Sequence, residues 1–401
     1  MAQVQDFFEL PKGFTAGSAA AKIKPTSTKD DVAAILSGRA ASAAGMYTTN
    51  KVKAAPLRVS QAHLENGVAQ AIVVNSGNAN ACTGQQGIQD AQEMCRLAGD
   101  LLGVSSQDVL VASTGVIGRQ MPMDRVRAGI EAACKRLRPE GGLDAARAIM
   151  TTDTVPKTFC TRVELGGGEI TLSGFCKGSG MIAPNMATLL AFLMTDAAIE
   201  PSCLKELLSG AVQDSFNMLT VDGDMSTNDF VTILANGESG VPTLAEGTRD
   251  HVRFSGALNA ACLDLAQRMA RDGEGATKLV RVNVCGARDR GEVRQVGMSV
   301  ANSNLVKTAL FGNDPNWGRI LAAAGCSGAD VDEELTTLSI GDLRIYERGA
   351  AVEFPNALGV HALDRAEVDI NIDLGQGSAS GTVYTCDLSY EYVKINAEYT
   401  T

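Results

Sequence analysis

The stretch that decides the fold is Lys177-Gly178-Ser179-Gly180-Met181-Ile182-Ala183-Pro184-Asn185-Met186-Ala187-Thr188, followed by the apolar run 189–194. Its first part contains two glycines and a proline, and this composition predicts a loop. The apolar run that follows predicts a buried strand. Thr188 stands at the junction, where a hydroxyl group would lie at the mouth of the strand. Threonine also favours strands for purely structural reasons, so the residues alone favour an ordinary start of a strand over a nucleophile.

The length and the patterning predict two domains. A chain of 401 residues exceeds the size at which one hydrophobic core stops growing, and its 45% hydrophobic content is enough to fill two. Beyond residues 279–284 the pattern changes to shorter alternating strands, such as 368–374 and 382–393. We therefore predict a larger region at residues 1–280 and a smaller C-terminal α/β region at residues 281–401.

Composition argues against several classes of partner. The net charge is −11, the isoelectric point is near 4.9 and aromatic residues make up 4% of the chain, so a basic or base-stacking surface for nucleic acid is not expected. The most apolar stretch, residues 186–194, is too short to cross a bilayer. No signal-peptide pattern opens the sequence, and we expect a cytoplasmic protein without a membrane partner.

Cysteine and histidine usage does not indicate a metal centre. Ten cysteines are spread without a CxxC pair, and most of them, such as Cys134, Cys262 and Cys285, stand among small or apolar residues. They are expected to be reduced core residues. The three histidines form no HExxH or HxH arrangement, so no zinc site is predicted.

The first half of the chain shows strands that end in glycine-containing turns. Helix-like periodicity covers residues 30–36 and 88–102, while residues 71–75 and 108–113 have the pattern of buried strands. The turn after residue 75 lacks the GxxxxGK[ST] and GxGxxG patterns, so it predicts a structural turn rather than a nucleotide site.

A hairpin leads into the opening stretch, and two helices follow it. Strands 159–165 and 169–176 flank three glycines, which tolerate a tight turn. Apolar residues spaced as on one helical face predict a helix that begins near Pro201 and another over residues 255–271, with Ser255 as its N-cap. Gly273 lies just past the end of the second helix, and Glu274 follows this stop directly.

Residues 177–196, KGSGMIAPNMATLLAFLMTD, resemble the self-cleavage segment of the ornithine acetyltransferase (glutamate N-acetyltransferase) family. The resemblance extends over nearly the whole chain, with matching motifs at residues 11–14, 74–84, 113–118, 272–278 and 316–320. It implies self-cleavage between Ala187 and Thr188, which would give an α chain of residues 1–187 and a β chain of residues 188–401. It also implies a layered αββα-type sandwich, two central sheets between helices, and an αβ heterodimer assembled further into a heterotetramer or larger.

Cleavage at this bond would solve a chemical problem. A threonine hydroxyl is a poor nucleophile at neutral pH, but a new α-amino group with an ordinary pKa of roughly 7.7–8.0 is able to act as the base for the Oγ of its own residue. The cut itself would begin with attack of Thr188 Oγ on the Ala187 carbonyl. This chemistry suits a chain with three scattered histidines and no complete GxSxG elbow.

The resemblance also assigns roles to other residues. Thr114 and Gly115 would stabilise the oxyanion, through a hydroxyl and a backbone N–H. Without the resemblance, these two would be an ordinary exit from a strand, and Lys177 and Glu274 would be solvated surface charges. The remaining residues are implied as substrate contacts together with Thr188: Thr154, Lys177, Glu274, Asn396 and Thr401.

The implied reaction is ping-pong transfer of an acetyl group from N2-acetyl-L-ornithine to L-glutamate through acetyl-Thr188, in arginine biosynthesis. No metal or organic cofactor is implied, and the sequence leaves open whether acetyl-CoA is also a donor. Two alternatives remain at this point. A self-cleaving aminopeptidase or amidase would pass the acyl group to water, and a non-catalytic binding protein on the same fold would remain one intact chain.

Overall fold

The computed structural model describes residues 8–25, 27–183 and 189–398, and within these ranges the chain forms two β-sheets covered by helices. The strands are β1 (Phe14–Ala19), β2 (Val32–Tyr47), β3 (Val68–Asn75), β4 (Val109–Ser113), β5 (Lys157–Leu165), β6 (Gly168–Lys177), β7 (Leu190–Thr195), β8 (Phe230–Ala235), β9 (Leu279–Ala287), β10 (Thr337–Ile340), β11 (Leu343–Glu347), β12 (Ala350–Ala351), β13 (Glu367–Asp373) and β14 (Ala379–Cys386). The α-helices are α1 (Ala55–His63), α2 (Gly84–Leu102), α3 (Met123–Cys134), α4 (Gly142–Ala148), α5 (Pro201–Gln213), α6 (Arg249–Arg271), α7 (Arg290–Ala301), α8 (Asn304–Phe311), α9 (Trp317–Gly325), α10 (Asn356–Leu363) and α11 (Tyr390–Glu398).

The first sheet is organised around the long strand β2. Its strand order is β4-β3-β2-β8-β7-β6-β5, with β1 paired to β2. The N-terminal part of β2 pairs with β1 and β3, whereas its last six residues, from Ser42 to Tyr47, pair with β8. Because one strand belongs to both halves of the sheet, the sheet folds over itself and its halves face each other.

Alternating side chains define the layers of this fold. Phe192 of β7 and Ile72 of β3 share one apolar cluster between the two halves of the sheet. Neighbouring residues point the opposite way, as the period of a strand requires. Val73 packs towards α2 and α3, and Leu193 packs towards α5 and α6. The order is therefore helices, half-sheet, half-sheet, helices, which confirms the expected αββα-type sandwich.

The second sheet has the strand order β12-β11-β10-β13-β9-β14 and shares a core with α7 to α10. Leu279, Tyr384 and Cys386 extend from it into the core beneath α6. The second sheet begins at Leu279, close to the boundary proposed near residue 281. Division of the chain into two domains at that position remains a prediction.

Most of the sequence-based elements are confirmed. Strands β3 and β4 and helices α2 and α5 lie where the patterns predicted them. The hairpin of β5 and β6 is also confirmed, with Leu165 opposite Gly168 and two glycines between them as the turn. Strand β6 continues to Lys177, so the hairpin delivers this residue directly to the opening stretch.

Three expectations are wrong. Residues 32–36, predicted to be helical, form the start of β2, because a short apolar run has no periodicity that separates a strand from a helix. Helix α6 begins at Arg249, not Ser255, and its cap is Thr248, whose hydroxyl accepts a hydrogen bond from His251 N–H. Residues 249–253 are exposed or half-buried, so the buried face of this helix starts only at Phe254. The strand predicted over residues 382–393 ends at Cys386 and is followed by α11.

Candidate active site

Five of the predicted site residues line a single pocket. Thr114 and Gly115 directly follow β4, Lys177 ends β6, Glu274 follows α6, and Asn396 lies on α11. The fold therefore brings residues from positions 114 to 396 to the same cavity. They meet where the ends of β4 and β6 approach the C-terminal end of α6.

Gly115 is required by the backbone at this position. Its φ angle is +131°, and a Cβ atom there would lie 2.4 Å from the carbonyl carbon of Gly77. Any other residue would be strained in φ and would also collide with that backbone. Asn78 forms bridges to Thr114 and Val116, so the turn after β3 supports the turn after β4. The predicted structural role of the first turn is consistent with this contact.

Lys177 is a buried cation that contacts the predicted oxyanion residue. Its side chain is almost fully buried, and Nζ donates a hydrogen bond to Thr114 Oγ1 at 3.3 Å. Burial lowers the pKa of Lys177, and the nearby Lys157 lowers it further, although attraction to Asp153 and Glu274 acts in the opposite direction. Lys177 is thus not the solvated surface charge that the residues alone suggested.

A second buried lysine lies beneath the pocket. Lys157 Nζ contacts Asp153 Oδ1 at 2.7 Å and Asp272 Oδ2 at 2.5 Å. Asp153 Oδ1 also accepts the Gly178 N–H at 2.7 Å, which fixes the start of the loop after β6. Burial alone would raise the pKa of Asp153, but the two lysines and these hydrogen bonds lower it to about 2. This triad ties β5, the end of β6 and the end of α6 together.

Thr154 belongs to that network and not to the pocket lining. Its backbone N–H and its hydroxyl both donate to Asp272, and the residue is exposed. Thr151 and Thr152, three and two positions earlier, line the pocket instead. A direct substrate contact by Thr154 stays a prediction, and the described geometry offers no support for it.

Glu274 is held on two sides. Its Oε2 accepts a hydrogen bond from Asn396 Nδ2 at 2.8 Å, and Glu274 N donates to Ser179 O at 3.0 Å. Gly180 faces the carboxylate so closely that a Cβ atom there would lie 2.3 Å from Glu274 Cδ. The glycine of the KGSG segment therefore makes room for this acid, which is buried rather than solvated.

The chain is similar to known proteins over nearly its whole length. The sequence profile of the ArgJ family matches residues 15–401. The chain belongs to the ArgJ family. It is 52% identical to the arginine biosynthesis bifunctional protein ArgJ of Symbiobacterium thermophilum and 47% identical to that of Caldanaerobacter subterraneus, with 98% of each chain covered in both comparisons. It is also similar to the crystal structure of the ArgJ protein from Bacillus halodurans, at 42% identity and a TM-score of 0.51 over 52% of this chain and 98% of that one.

Three predicted residues of this ArgJ family chain, Ala187, Thr188 and Thr401, lie outside the described residues. The described residues that flank the first two are both buried: Ala183 is 3% exposed and Leu189 is 1% exposed. The ends of the stretch that contains the predicted nucleophile are therefore anchored in the protein interior.

Sequence reasoning missed the loop that anchors these ends. Residues 220–229, which we call the clasp loop, lie between α5 and β8. Asp222 accepts the N–H groups of Met181 and Ile182 at 2.7 and 2.9 Å, and Asp229 Oδ1 accepts the N–H of Leu189 at 3.2 Å. The same loop therefore holds both flanks of the segment that contains the predicted cleavage site. Its polar composition just before a buried strand was the available signal.

The clasp loop also reaches the predicted oxyanion residues. Asn228 Nδ2 donates to Ala79 O at 2.7 Å and to Ser113 O at 2.8 Å, and Asn228 and Ser226 line the pocket. Ser113 is the residue before Thr114. One loop thus fixes the position of the predicted nucleophile segment relative to the predicted oxyanion site.

Two features of the described residues bear on other functions. In residues 8–25, 27–183 and 189–398, no group of three or more His, Cys, Asp or Glu side chains is arranged to hold a metal ion. Over the same ranges, no helix combines the length and apolarity that a membrane span needs.

Proposed function

We propose that this chain is a glutamate N-acetyltransferase that moves an acetyl group from N2-acetyl-L-ornithine to L-glutamate by a ping-pong mechanism through acetyl-Thr188. The observation that carries the proposal is the single pocket lined by Thr114, Gly115, Lys177 and Glu274, in a member of a family named for arginine biosynthesis. The proposal needs no metal or organic cofactor, and it places the reaction in the cytoplasm.

The proposed nucleophile is the hydroxyl of Thr188 after cleavage from Ala187. The freed α-amino group accepts the Oγ proton as the hydroxyl attacks the acetyl carbonyl. It then returns that proton to the nitrogen of the departing ornithine. Glutamate enters next, and its amino group attacks the acetyl-Thr188 ester to give N-acetylglutamate.

The oxyanion of each step would be held by Thr114 and Gly115. Because Lys177 Nζ donates to Thr114 Oγ1, that oxygen already accepts a hydrogen bond, and its own O–H is free to donate to a substrate oxygen. The backbone N–H of Gly115 is the second donor. Loss of one oxyanion donor costs about 2.7–4 kcal/mol of transition-state stabilisation in enzymes of this kind.

Charge complementarity supports the choice of substrates. Acetylornithine carries a carboxylate and a side-chain ammonium group, and the pocket offers Lys177 for the first and Glu274 for the second. Asn396 Nδ2 donates to Glu274 Oε2 and so orients the carboxylate. Thr154 and Thr401 remain proposed substrate contacts by family resemblance alone.

The lengths of solved relatives support self-cleavage. The solved Bacillus halodurans chain is 98% covered, yet it corresponds to only 52% of this chain, so it is about half as long. A cut between Ala187 and Thr188 would divide this chain into pieces of similar size. We propose that the two pieces stay together as an αβ heterodimer, which assembles further into a heterotetramer or larger.

A second activity is favoured by the word "bifunctional" in the names of the relatives. We propose acetyl-CoA as an alternative donor to the same Thr188, with glutamate as the acceptor. Incubation with acetyl-CoA and glutamate, in the absence of acetylornithine, tests this activity. Free coenzyme A without N-acetylglutamate would contradict it.

The decisive experiment uses acetylornithine alone. Wild-type protein should consist of fragments 1–187 and 188–401, release about one equivalent of ornithine per site, and gain one acetyl mass on the fragment that begins with Thr188. Thr188→Ala should stay intact and release no ornithine, whereas Thr188→Ser should still cut itself, but more slowly. An acetyl group on another residue, or turnover by Thr188→Ala, would overturn the mechanism. Release of free acetate that glutamate does not suppress would favour a hydrolase.

A further inference from the structure

Asp229 is a buried acid with one unused oxygen. Its side chain is fully buried, and Oδ1 accepts the N–H of Leu189 at 3.2 Å. Oδ2 is also buried and forms no hydrogen bond with the described residues, whereas both oxygens of Asp222, in the same clasp loop, accept backbone N–H groups. A buried polar atom without a partner is costly, and so it indicates a function.

The position of Asp229 is fixed by strand pairing. Strands β7 and β8 are parallel, with Leu190 opposite Phe230, so Asp229 lies beside residue 189. Leu189 directly follows Thr188 in the chain, so the carboxyl group of Asp229 is anchored one residue away from the bond that is proposed to break. Oδ2 is the oxygen that the contact with Leu189 leaves available.

We propose that Asp229 donates the proton that the Thr188 nitrogen needs when the Ala187–Thr188 bond breaks. Thr188 Oγ forms a bond to the Ala187 carbonyl carbon, the bond from that carbon to Thr188 N breaks, and the electron pair on nitrogen takes the Oδ2 proton of Asp229. The carboxylate then takes up the Oγ proton. The products are an ester at Oγ, a free amino group and a neutral Asp229, and one water hydrolyses the ester to complete the cut.

The surroundings of Asp229 favour its neutral form. Burial raises its pKa well above the ordinary value, and this effect outweighs the hydrogen bond from the Leu189 N–H and the attraction of Lys177, the charged group that faces it in the described residues. Because Oδ1 accepts the Leu189 N–H, the proton resides on Oδ2. A neutral carboxyl also leaves the new amino group unprotonated, since a carboxylate would raise the pKa of that amine.

The proposal rests on the self-cleavage included in the proposed function, and the two are tested separately. Full-length chain made by cell-free translation is transferred to buffers from acid to alkaline pH, and denaturing gels follow the appearance of the two fragments. The protonated form of Asp229 is present below its raised pKa and is lost as the pH rises through that pKa. The wild-type rate should therefore fall at alkaline pH as Asp229 ionises.

Asp229→Asn is the informative variant. The amide keeps an acceptor for the Leu189 N–H but has no proton to transfer, so cleavage should slow by about 10²- to 10⁴-fold and lose the wild-type decline at alkaline pH. Asp222→Asn is the matched control, because it also loosens one flank of the segment but should retain that decline. Thermal unfolding of uncut Asp229→Asn and Thr188→Ala chains shows whether the amide disturbs the fold.

Each outcome is decisive. Cleavage of Asp229→Asn at the wild-type rate, or slow cleavage with the wild-type pH profile, would overturn the role of Asp229 and leave the acetyl transfer intact. Loss of the alkaline decline in Asp222→Asn would overturn it as well. If the wild type cuts itself but transfers no acetyl group, the proposed function fails while the Asp229 result still stands.

Discussion

Two buried lysines stand next to each other on the β5–β6 hairpin and have opposite surroundings. Lys157 pairs with Cys176 across the strands, so it lies beside Lys177 at the end of β6. Lys157 contacts two carboxylates. Among the described residues, no carboxylate oxygen lies within 4.0 Å of Lys177 Nζ, and its hydrogen bond there goes to the hydroxyl of Thr114.

The pKa shifts of the two lysines follow from this difference. Burial lowers the pKa of Lys157, but Asp153 and Asp272 outweigh it and the net shift is upward. For Lys177 burial prevails, and the pKa is lowered. A buried cation with saturated partners stabilises the fold, whereas a buried cation without a carboxylate at hydrogen-bonding distance is poised to receive an anionic ligand.

The largest expected effect is on stability and comes from Lys157→Met. The substitution would leave Asp153 and Asp272 buried without their counter-ion, which typically costs about 3–5 kcal/mol. Chemical unfolding in the Thr188→Ala background, where the chain is expected to stay uncut, measures this loss. If Lys157→Met is as stable as its parent, then the triad is not what holds the pocket together.

Lys177→Met should show the reverse pattern. The unfolding free energy should stay the same or rise, since an unpaired buried charge is removed, while kcat/KM for acetylornithine should fall. A charge-assisted hydrogen bond contributes about 1.5–3 kcal/mol, which corresponds to roughly 10- to 150-fold in rate. A variant that loses stability but keeps its activity would place Lys177 with Lys157 as a structural residue.

The two lysines should also differ in how pH changes stability. The pKa of Lys177 is lowered in the folded state, whereas in the unfolded chain it is about 10.4. Between these two pKa values the unfolded chain binds more protons than the folded protein, so the free energy of unfolding rises with pH. The stability advantage of Lys177→Met should therefore be largest at neutral pH and shrink as the pH approaches the unfolded value. The folded-state pKa of Lys157 is raised, so its contribution is fully present below the unfolded value and is lost only above it. Unfolding free energies measured across alkaline pH distinguish the two.

The sequence predicted the hairpin that carries these lysines but not their difference. Gly166 and Gly167 marked the turn, and local turn chemistry is readable from a single chain. Lys157 contacts Asp272 and Lys177 contacts Thr114, both of which are distant in sequence, and no periodicity predicts either contact. The role of the clasp loop was not predicted for the same reason. That role depends on Asp222 and Asp229, which contact opposite flanks of one segment.

The site residues were predicted from the family resemblance, and local sequence patterns alone would have identified only some of them. Gly115 and Gly180 are required by contacts with Gly77 and Glu274 that appear only after folding. Residues 32–36 were misread because their pairing with β1 and β3, not their local pattern, decides that they form a strand. Residues 390–393 were misread as the end of a strand and instead begin the exposed helix α11. Local signals identified most elements, and tertiary contacts decided the rest.

The smallest predicted effect concerns the opposite side of the pocket, where Glu274 would bind the side-chain ammonium group of ornithine. Glu274→Gln keeps an acceptor for Asn396 Nδ2 but removes the charge, so KM should rise far more for acetylornithine than for glutamate, because only ornithine carries a side-chain cation. Asn396→Ala, the matched control, should produce a weaker change in the same direction, since it removes the partner that orients the carboxylate and leaves its charge. Initial rates with each substrate varied in turn measure both constants. Equal increases in KM for the two substrates would mean that Glu274 recognises a group they share, and the division of the pocket into a Lys177 side and a Glu274 side would then be wrong.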